Sequence, residues 1–371
     1  MGTITGAEVF NSATGKFEKT SLSFDGGVIV GYKSGEVTDM TGKRIIPGLI
    51  DVHTHGRNGI DIMKADRDGI SALSLEYAKT GVTTVFPTVM TAPMDRLVAA
   101  IGNLRSSERT GARFGGIHIE GPYISASKAG CHDIADIRMP DLDEMTALVT
   151  GCGELHAHFT VAPENCPDGL IAGLSKIASV GIGHTAASYS QCVEAVGNGA
   201  VSFTHTYNAM TGLAHREPGA VGAALDSGAY AEFICDGLHI LPEIIAISYR
   251  AVRDRSRFVL ITDSVPYAGC ADGDYDMNGI PFTMSGGRAV RPDGTIVGST
   301  LNMFDAVKNL SRFAGIPFEQ ALLCATENPA RMMGIYGSRG SLDIGKCADF
   351  VVLNGDEIAS VWIGGKQIVN Y

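Results

Sequence analysis

From residue 48 to about residue 335 the chain alternates short apolar runs with stretches of helical periodicity. Eight runs read as buried strands: 49–52, 83–86, 115–119, 159–162, 180–182, 201–203, 232–234 and 258–261. Amphipathic stretches such as 70–79, 96–104, 170–178 and 243–252 read as helices between them. Eight strand–helix units over about 290 residues predict an α/β fold, a closed (β/α)8 TIM barrel. A doubly wound sheet is the competitor. It calls for a glycine-rich phosphate fingerprint after the first strand, and Gly56-Arg57-Asn58-Gly59 is not one.

The two ends of the chain have a different pattern. Residues 7–10, 20–24 and 28–30 alternate or are β-branched, with Asp25-Gly26-Gly27 as a turn. Residues 349–353, 360–363 and 366–369 behave alike, with a turn at Asn354-Gly355. Neither end has enough strands for a core of its own. They are expected to join in one small β-sandwich, residues 1–47 plus 336–371, beside a barrel of 48–335.

Composition narrows the function classes. The chain has 371 residues, 45% hydrophobic and 19% charged, an ordinary globular balance. A net charge of -11 argues against a general nucleic-acid or anionic-membrane partner. No apolar run approaches the roughly 18 residues of a membrane span. The eight cysteines have no paired spacing, and the first ten residues lack the basic start and apolar core of a signal peptide. Reduced thiols and a cytoplasmic location are therefore expected.

The candidate chemistry begins at Pro47-Gly48-Leu49-Ile50-Asp51-Val52-His53-Thr54-His55-Gly56. Side chains two apart on a strand share a face, so His53 and His55 can reach one cation. The pair sits where a strand ends, the rim on which a barrel carries its chemistry. Other predicted strand ends carry His118 and Glu120, His184, His205, His239 and Asp263. Six of the ten histidines (His53, His55, His118, His184, His205 and His239) thus fall at or just past strand ends, which converge in a closed barrel. The plainer readings are core histidines for His184 and His205, a turn charge for Glu120 and a helix cap for Asp263. All of them would have to hold together for a metal site to vanish.

These residues resemble the amidohydrolase superfamily, and the longer motifs are similar to its N-acetylglucosamine-6-phosphate deacetylase branch. The matching segments are the His-x-His run, His118-Ile119-Glu120-Gly121-Pro122-Tyr123, Gly183-His184-Thr185, Thr204-His205-Thr206-Tyr207-Asn208-Ala209-Met210, Arg216-Glu217-Pro218-Gly219, Asp236-Gly237-Leu238-His239 and Thr262-Asp263. The resemblance implies Glu120, His184 and His205 as ligands of a principal divalent metal. It implies His53 and His55, with Asp263, around a second ion in those members that hold two. Zinc is the first expectation, with iron, manganese and cobalt as alternatives. Asp263 matches the catalytic carboxylate, and His132 the histidine that polarises the acetyl carbonyl. Asn208, Ala209 through its backbone, Arg216, His239 and His132 match substrate positions, with Arg216 reaching across a homodimer. Cys131, beside His132, reads as an incidental small residue.

The expected reaction is metal-dependent removal of acetate from N-acetyl-D-glucosamine 6-phosphate. The galactosamine epimer is an alternative substrate. A cyclic-amide hydrolase of the dihydroorotase or hydantoinase kind would usually bring a carboxylated lysine after strand four, where this chain has Val161-Ala162-Pro163-Glu164. A non-catalytic sugar-phosphate-binding protein is the alternative of another class.

Overall fold

The structure, a computed structural model, describes residues 1–33, 35–277 and 279–371. All eight runs are strands of one parallel sheet: β1 (Leu49–Thr54), β2 (Val82–Met90), β3 (Gly116–Glu120), β4 (His156–Val161), β5 (Ser179–Ile182), β6 (Ser202–Phe203), β7 (Tyr230–Ile234) and β8 (Phe258–Ile261). Each pairs with the next in chain order. The seam between β8 and β1 closes just past the strand ends. Asp263 N–H donates to the His53 carbonyl at 2.9 Å, and Thr54 bridges Ser264 in parallel. Thr262 Oγ1 also donates to Asp51 Oδ2 at 2.6 Å, across the same seam. Burial explains the composition of the runs: all nine residues of β2 are buried, as are all six of β1, as in a barrel covered by helices.

Three of the four helices foreseen run close to the bounds read from the sequence: Arg67–Ala78, Met94–Ser106 and Pro242–Ala251. The fourth is shorter, Leu170–Leu174. Ser175 ends it by turning its hydroxyl back to the Ala172 carbonyl, and β5 begins four residues later.

The ends of the chain form two further sheets. One has four strands in the order Val28–Val30, Leu22–Asp25, Gly2–Thr5, Glu36–Asp39. The other has six, and it interleaves the termini: Phe350–Asn354 lies antiparallel to Arg44–Pro47. Ile4, Val9, Leu22, Phe24, Ile45, Phe350 and Val352 fill the space between them, and the Phe350 and Trp362 rings stack at 5.3 Å.

A four-stranded antiparallel insertion follows β8: Gly273–Met277, Ile280–Ser285, Arg288–Val290 and Ile296–Ser299. Its apolar face, with Met277, Phe282, Met284 and Val297, packs on Met90, Val265 and Ala268 at the barrel mouth.

Candidate active site

Three residues of the site share a backbone conformation. His184, His205 and Asp263 each stand two residues beyond a strand, and all are left-handed, with φ of 45°, 32° and 47°. Such a turn costs a non-glycine residue of order 1–3 kcal/mol. Here it ends each strand and leaves all three side chains lining one cavity at the mouth.

Glu120 is the centre of the cluster. Its Oε1 lies 2.9 Å from His205 Nε2 and 3.2 Å from His184 Nε2. Its Oε2 lies 3.3 Å from His53 Nε2 and 3.2 Å from His55 Nε2. Asp263 Oδ1 completes the second group, 3.4 Å from His53 Nε2 and 3.2 Å from His55 Nε2. Within each group the two imidazole nitrogens approach each other as well, to 3.3 Å for His53 and His55 and 3.0 Å for His184 and His205. Donor atoms about 2.0–2.2 Å from a common cation stand about 3.0–3.5 Å from one another. Two imidazole nitrogens that close share at most one proton, so each group is shaped for a positive centre. The donors are imidazole and carboxylate, with no thiolate, a set that suits a divalent first-row metal. One carboxylate is thus shared by two adjoining groups, each of which could hold a cation.

The electrostatics of the metal-free protein agree. Burial alone would raise the Glu120 pKa, yet the surrounding histidines hold it well below the ordinary range. Burial likewise opposes the charge on Asp263, but His53 and His55 bring its pKa down to about 2. Burial opposes the charge on His55 too, and there the Asp263 and Glu120 carboxylates win, pushing its pKa up to about 10. At pH 7.5 His55 is therefore an imidazolium without metal, whereas ligation needs the neutral ring. Adding metal to chelated protein in weak buffer should release at least one proton, and affinity should fall as pH falls. An indicator-dye titration reads this directly, and uptake with no proton release would contradict it.

His132 stands beside the cluster, Nε2 3.6 Å from Glu120 Oε2. Its Nδ1 lies 2.7 Å from Thr91 Oγ1. Burial lowers its pKa to about 4, so the ring is neutral at pH 7. With the Thr91 hydroxyl donating to Nδ1, the Nε2–H points to the site. Gly121 makes this possible: a Cβ there would stand 2.1 Å from Thr91 Oγ1.

The cavity above the cluster has a volume of about 300 Å3. His55, Glu120, His132, His184, His205, Asn208, Ala209, His239 and Asp263 all line it, with Lys128, Cys131 and the edge of the insertion at Thr295, Ile296, Val297 and Gly298. Burial would lower the His239 pKa, but Asp236, whose Oδ2 is 2.6 Å from Nδ1, outweighs it and raises it. Burial together with Glu120 and Asp263 raises the pKa of the Cys131 thiol, which leaves it neutral. His53 is buried behind His55. A larger hollow, about 690 Å3, lies among the terminal strands, and its described lining has no histidine or cysteine.

Arg216 is the one expected site residue that stands apart. It is exposed, lies outside the cavity lining, and no described ion pair joins it to Glu217. Sequence reasoning passed over Thr91, Lys128 and the insertion. Thr91 is one of many buried threonines and carries no motif. The insertion did leave a signal, in the alternation of Ile280, Phe282 and Met284 with Pro281, Thr283 and Ser285.

Comparison with known proteins identifies the family of the chain. A profile of the amidohydrolase family matches residues 44–368. The N-acetylglucosamine-6-phosphate deacetylase of Vibrio furnissii is 34% identical over 87% of this chain and 82% of its own. The N-acetylgalactosamine-6-phosphate deacetylase of Escherichia coli O157:H7 is 34% identical over 89% of each. Among solved structures, a mutant N-acetyl-D-glucosamine-6-phosphate deacetylase from Mycobacterium smegmatis in complex with N-acetyl-D-glucosamine-6-phosphate has a TM-score of 0.90 at 28% identity over 99% of both chains. In sequence and in fold the chain belongs to the amidohydrolase family, in the branch that contains the N-acetylglucosamine- and N-acetylgalactosamine-6-phosphate deacetylases.

Proposed function

We propose that the chain hydrolyses N-acetyl-D-glucosamine 6-phosphate to D-glucosamine 6-phosphate and acetate. The observation that carries this reading is Glu120 set between two imidazole pairs, with Asp263 in the wall of the cavity above them. The names of the relatives set the substrate class.

Glu120, His184 and His205 would hold one divalent ion, and His53 and His55, with Glu120 and Asp263 beside them, would hold a second where two are bound, zinc being the first choice. When bound, the metal supplies Lewis acidity, polarising the amide carbonyl and acidifying a water. Asp263, a carboxylate at neutral pH, accepts the proton of the attacking water and passes it to the departing amine. The two transfers follow one another, so one carboxylate serves both. The Nε2–H of His132 donates to the oxygen on which charge develops, an effect typically worth about 2.7–4 kcal/mol per donor.

The phosphate lies away from the reacting bond, where its binding energy holds the acetamido group in place. His239, whose pKa Asp236 raises, and Asn208 and Ala209 take part from this chain. Arg216 arrives from the neighbouring subunit of a homodimer, where its guanidinium fork matches phosphate oxygens. Its exposure and its place outside its own cavity support that role. We place the enzyme in the cytoplasm, on the strength of eight free thiols. Among the described residues no helix is long and apolar enough to cross a membrane.

The test is acetate release from N-acetylglucosamine 6-phosphate, its galactosamine epimer and unphosphorylated N-acetylglucosamine. The glucosamine phosphate should be the best substrate by kcat/KM. Arg216→Ala should lower kcat/KM for the phosphorylated sugar by about 10–100-fold, as for a charge-assisted hydrogen bond worth about 1.5–3 kcal/mol, with metal content unchanged. Wild-type kinetics in that variant would remove Arg216 from the site.

A further inference from the structure

Beneath the donor atoms at the mouth, the barrel interior holds a second layer of polar side chains. Half of it is satisfied. His118 Nε2 lies 2.7 Å from Thr160 Oγ1, which lies 2.8 Å from Thr204 Oγ1, and His118 Nδ1 lies 3.3 Å from Thr88 Oγ1.

The other half is not. Glu232 on β7 is 1% exposed, and neither of its carboxylate oxygens has a hydrogen-bond partner. His158 Nε2 on β4 and Ser202 Oγ on β6 are buried and unpartnered as well. These atoms are neighbours. His158 Nε2 is 3.9 Å from Glu232 Oε1, beyond direct hydrogen-bond reach. Ser202 lies close enough to the same carboxylate to favour its charge, but its Oγ does not reach either oxygen in a well-formed hydrogen bond. His158 Nε2, Ser202 Oγ and Thr204 Oγ1 all come within 3.2 Å of the point where a Cβ on Gly181 would stand, so they converge over one bare backbone position. Barrel interiors are ordinarily filled with bulky branched side chains. Here glycine, serine and an acid stand in their place.

Leaving such groups unpaired is costly, most of all for a carboxylate. Polar groups that face each other beyond about 3.5 Å commonly have a water between them, and a buried water makes about three hydrogen bonds. The unpaired atoms continue upward: His53 Nδ1, His55 Nδ1 and His205 Nδ1 are buried without partners, while their Nε2 atoms face the cation positions. A ligating histidine gives its other ring nitrogen to a carboxylate, a carbonyl or a water. His184 does so, with Nδ1 2.7 Å from the Lys128 carbonyl. Glu232 is the carboxylate placed to serve two of the other three, His53 and His205. Its carbonyl accepts the N–H of Thr206, the residue after His205, at 2.8 Å, and its carboxylate lies in the field of both His53 and His205.

We propose that about one or two ordered waters occupy this layer, joining Glu232 to His158 and Ser202 and extending to Nδ1 of His53 and His205, so that Glu232 is a positioning residue for the metal ligands. The second half of this rests on the reading of His53 and His205 as ligands; the water site itself does not.

The experiment has two arms. A high-resolution crystal structure of the metal-loaded protein should show water within hydrogen-bond distance of Glu232 and His158. In parallel, metal-loaded wild type, Glu232→Gln and Glu232→Leu are dialysed against a chelator, and residual metal is counted by elemental analysis, with circular dichroism as the check on folding. Gln keeps an acceptor and should hold metal nearly as wild type does. Leu, of similar bulk and apolar, should stay folded yet lose metal roughly tenfold faster or more. A dry layer with Glu232 bonded directly to His158 would overturn the water site. Wild-type retention in Glu232→Leu would overturn the positioning role. A wild type that binds no metal would sink the ligand assignment and the positioning role together, with the water site still decided by the crystal.

Discussion

Asp263→Asn should lower kcat by about 10^2–10^4, the usual worth of a placed acid–base group, while the protein stays folded. Asparagine fills the same volume and tolerates the left-handed φ of 47° that this position requires. It still offers an oxygen toward His53 and His55, now 3.4 and 3.2 Å from Asp263 Oδ1. What it lacks is the capacity to take a proton from water and return it to the amine. Held at a pKa of about 2 by its histidine neighbours, Asp263 is fully ionised wherever the enzyme works. The loss should therefore appear in kcat, with KM little changed. The check is steady-state acetate release together with elemental analysis. An asparagine variant with more than a tenth of wild-type turnover would show that another group carries the proton. Retained binding of the sugar phosphate without turnover is the expected signature of an enzyme. A non-catalytic sensor of the same sugar would lose nothing.

Glu120→Ala should have the broader effect, since both cation positions depend on it. Its two oxygens face opposite ways, Oε1 toward His184 and His205, Oε2 toward His53 and His55. Deleting a histidine from one pair weakens one position. Deleting the carboxylate removes an anion from both and leaves four buried imidazoles with Asp263 as the remaining neutralising charge. Bound metal should fall to near zero in Glu120→Ala, against partial loss in His184→Ala or His53→Ala. Full occupancy in Glu120→Ala would overturn the bridging role.

Much of this was legible in the amino-acid order. The eight barrel strands stand out because strands buried on both faces are continuous apolar runs, as at 258–261. The histidines and carboxylates gathered at the mouth stand out because a closed parallel barrel brings all its strand ends to one rim, so chain position alone predicts convergence. The insertion was missed, although Ile280–Ser285 alternates strictly and Gly286-Gly287 turns the chain before Arg288. It lay outside the strand–helix rhythm that organised the reading. His158 and Glu232 gave no signal of another kind. A lone polar residue inside an apolar strand shows its role only when the barrel is closed and its neighbours on other strands are known. Thr91 is silent for the same reason: its partner His132 is 41 residues away.

The three left-handed strand ends bear on how this protein would change under laboratory evolution. His184, His205 and Asp263 occupy backbone shapes that glycine or asparagine adopts at lower cost. A library screened for heat resistance alone would thus be drawn to these positions early, and its hardiest survivors would be the ones with no catalyst left.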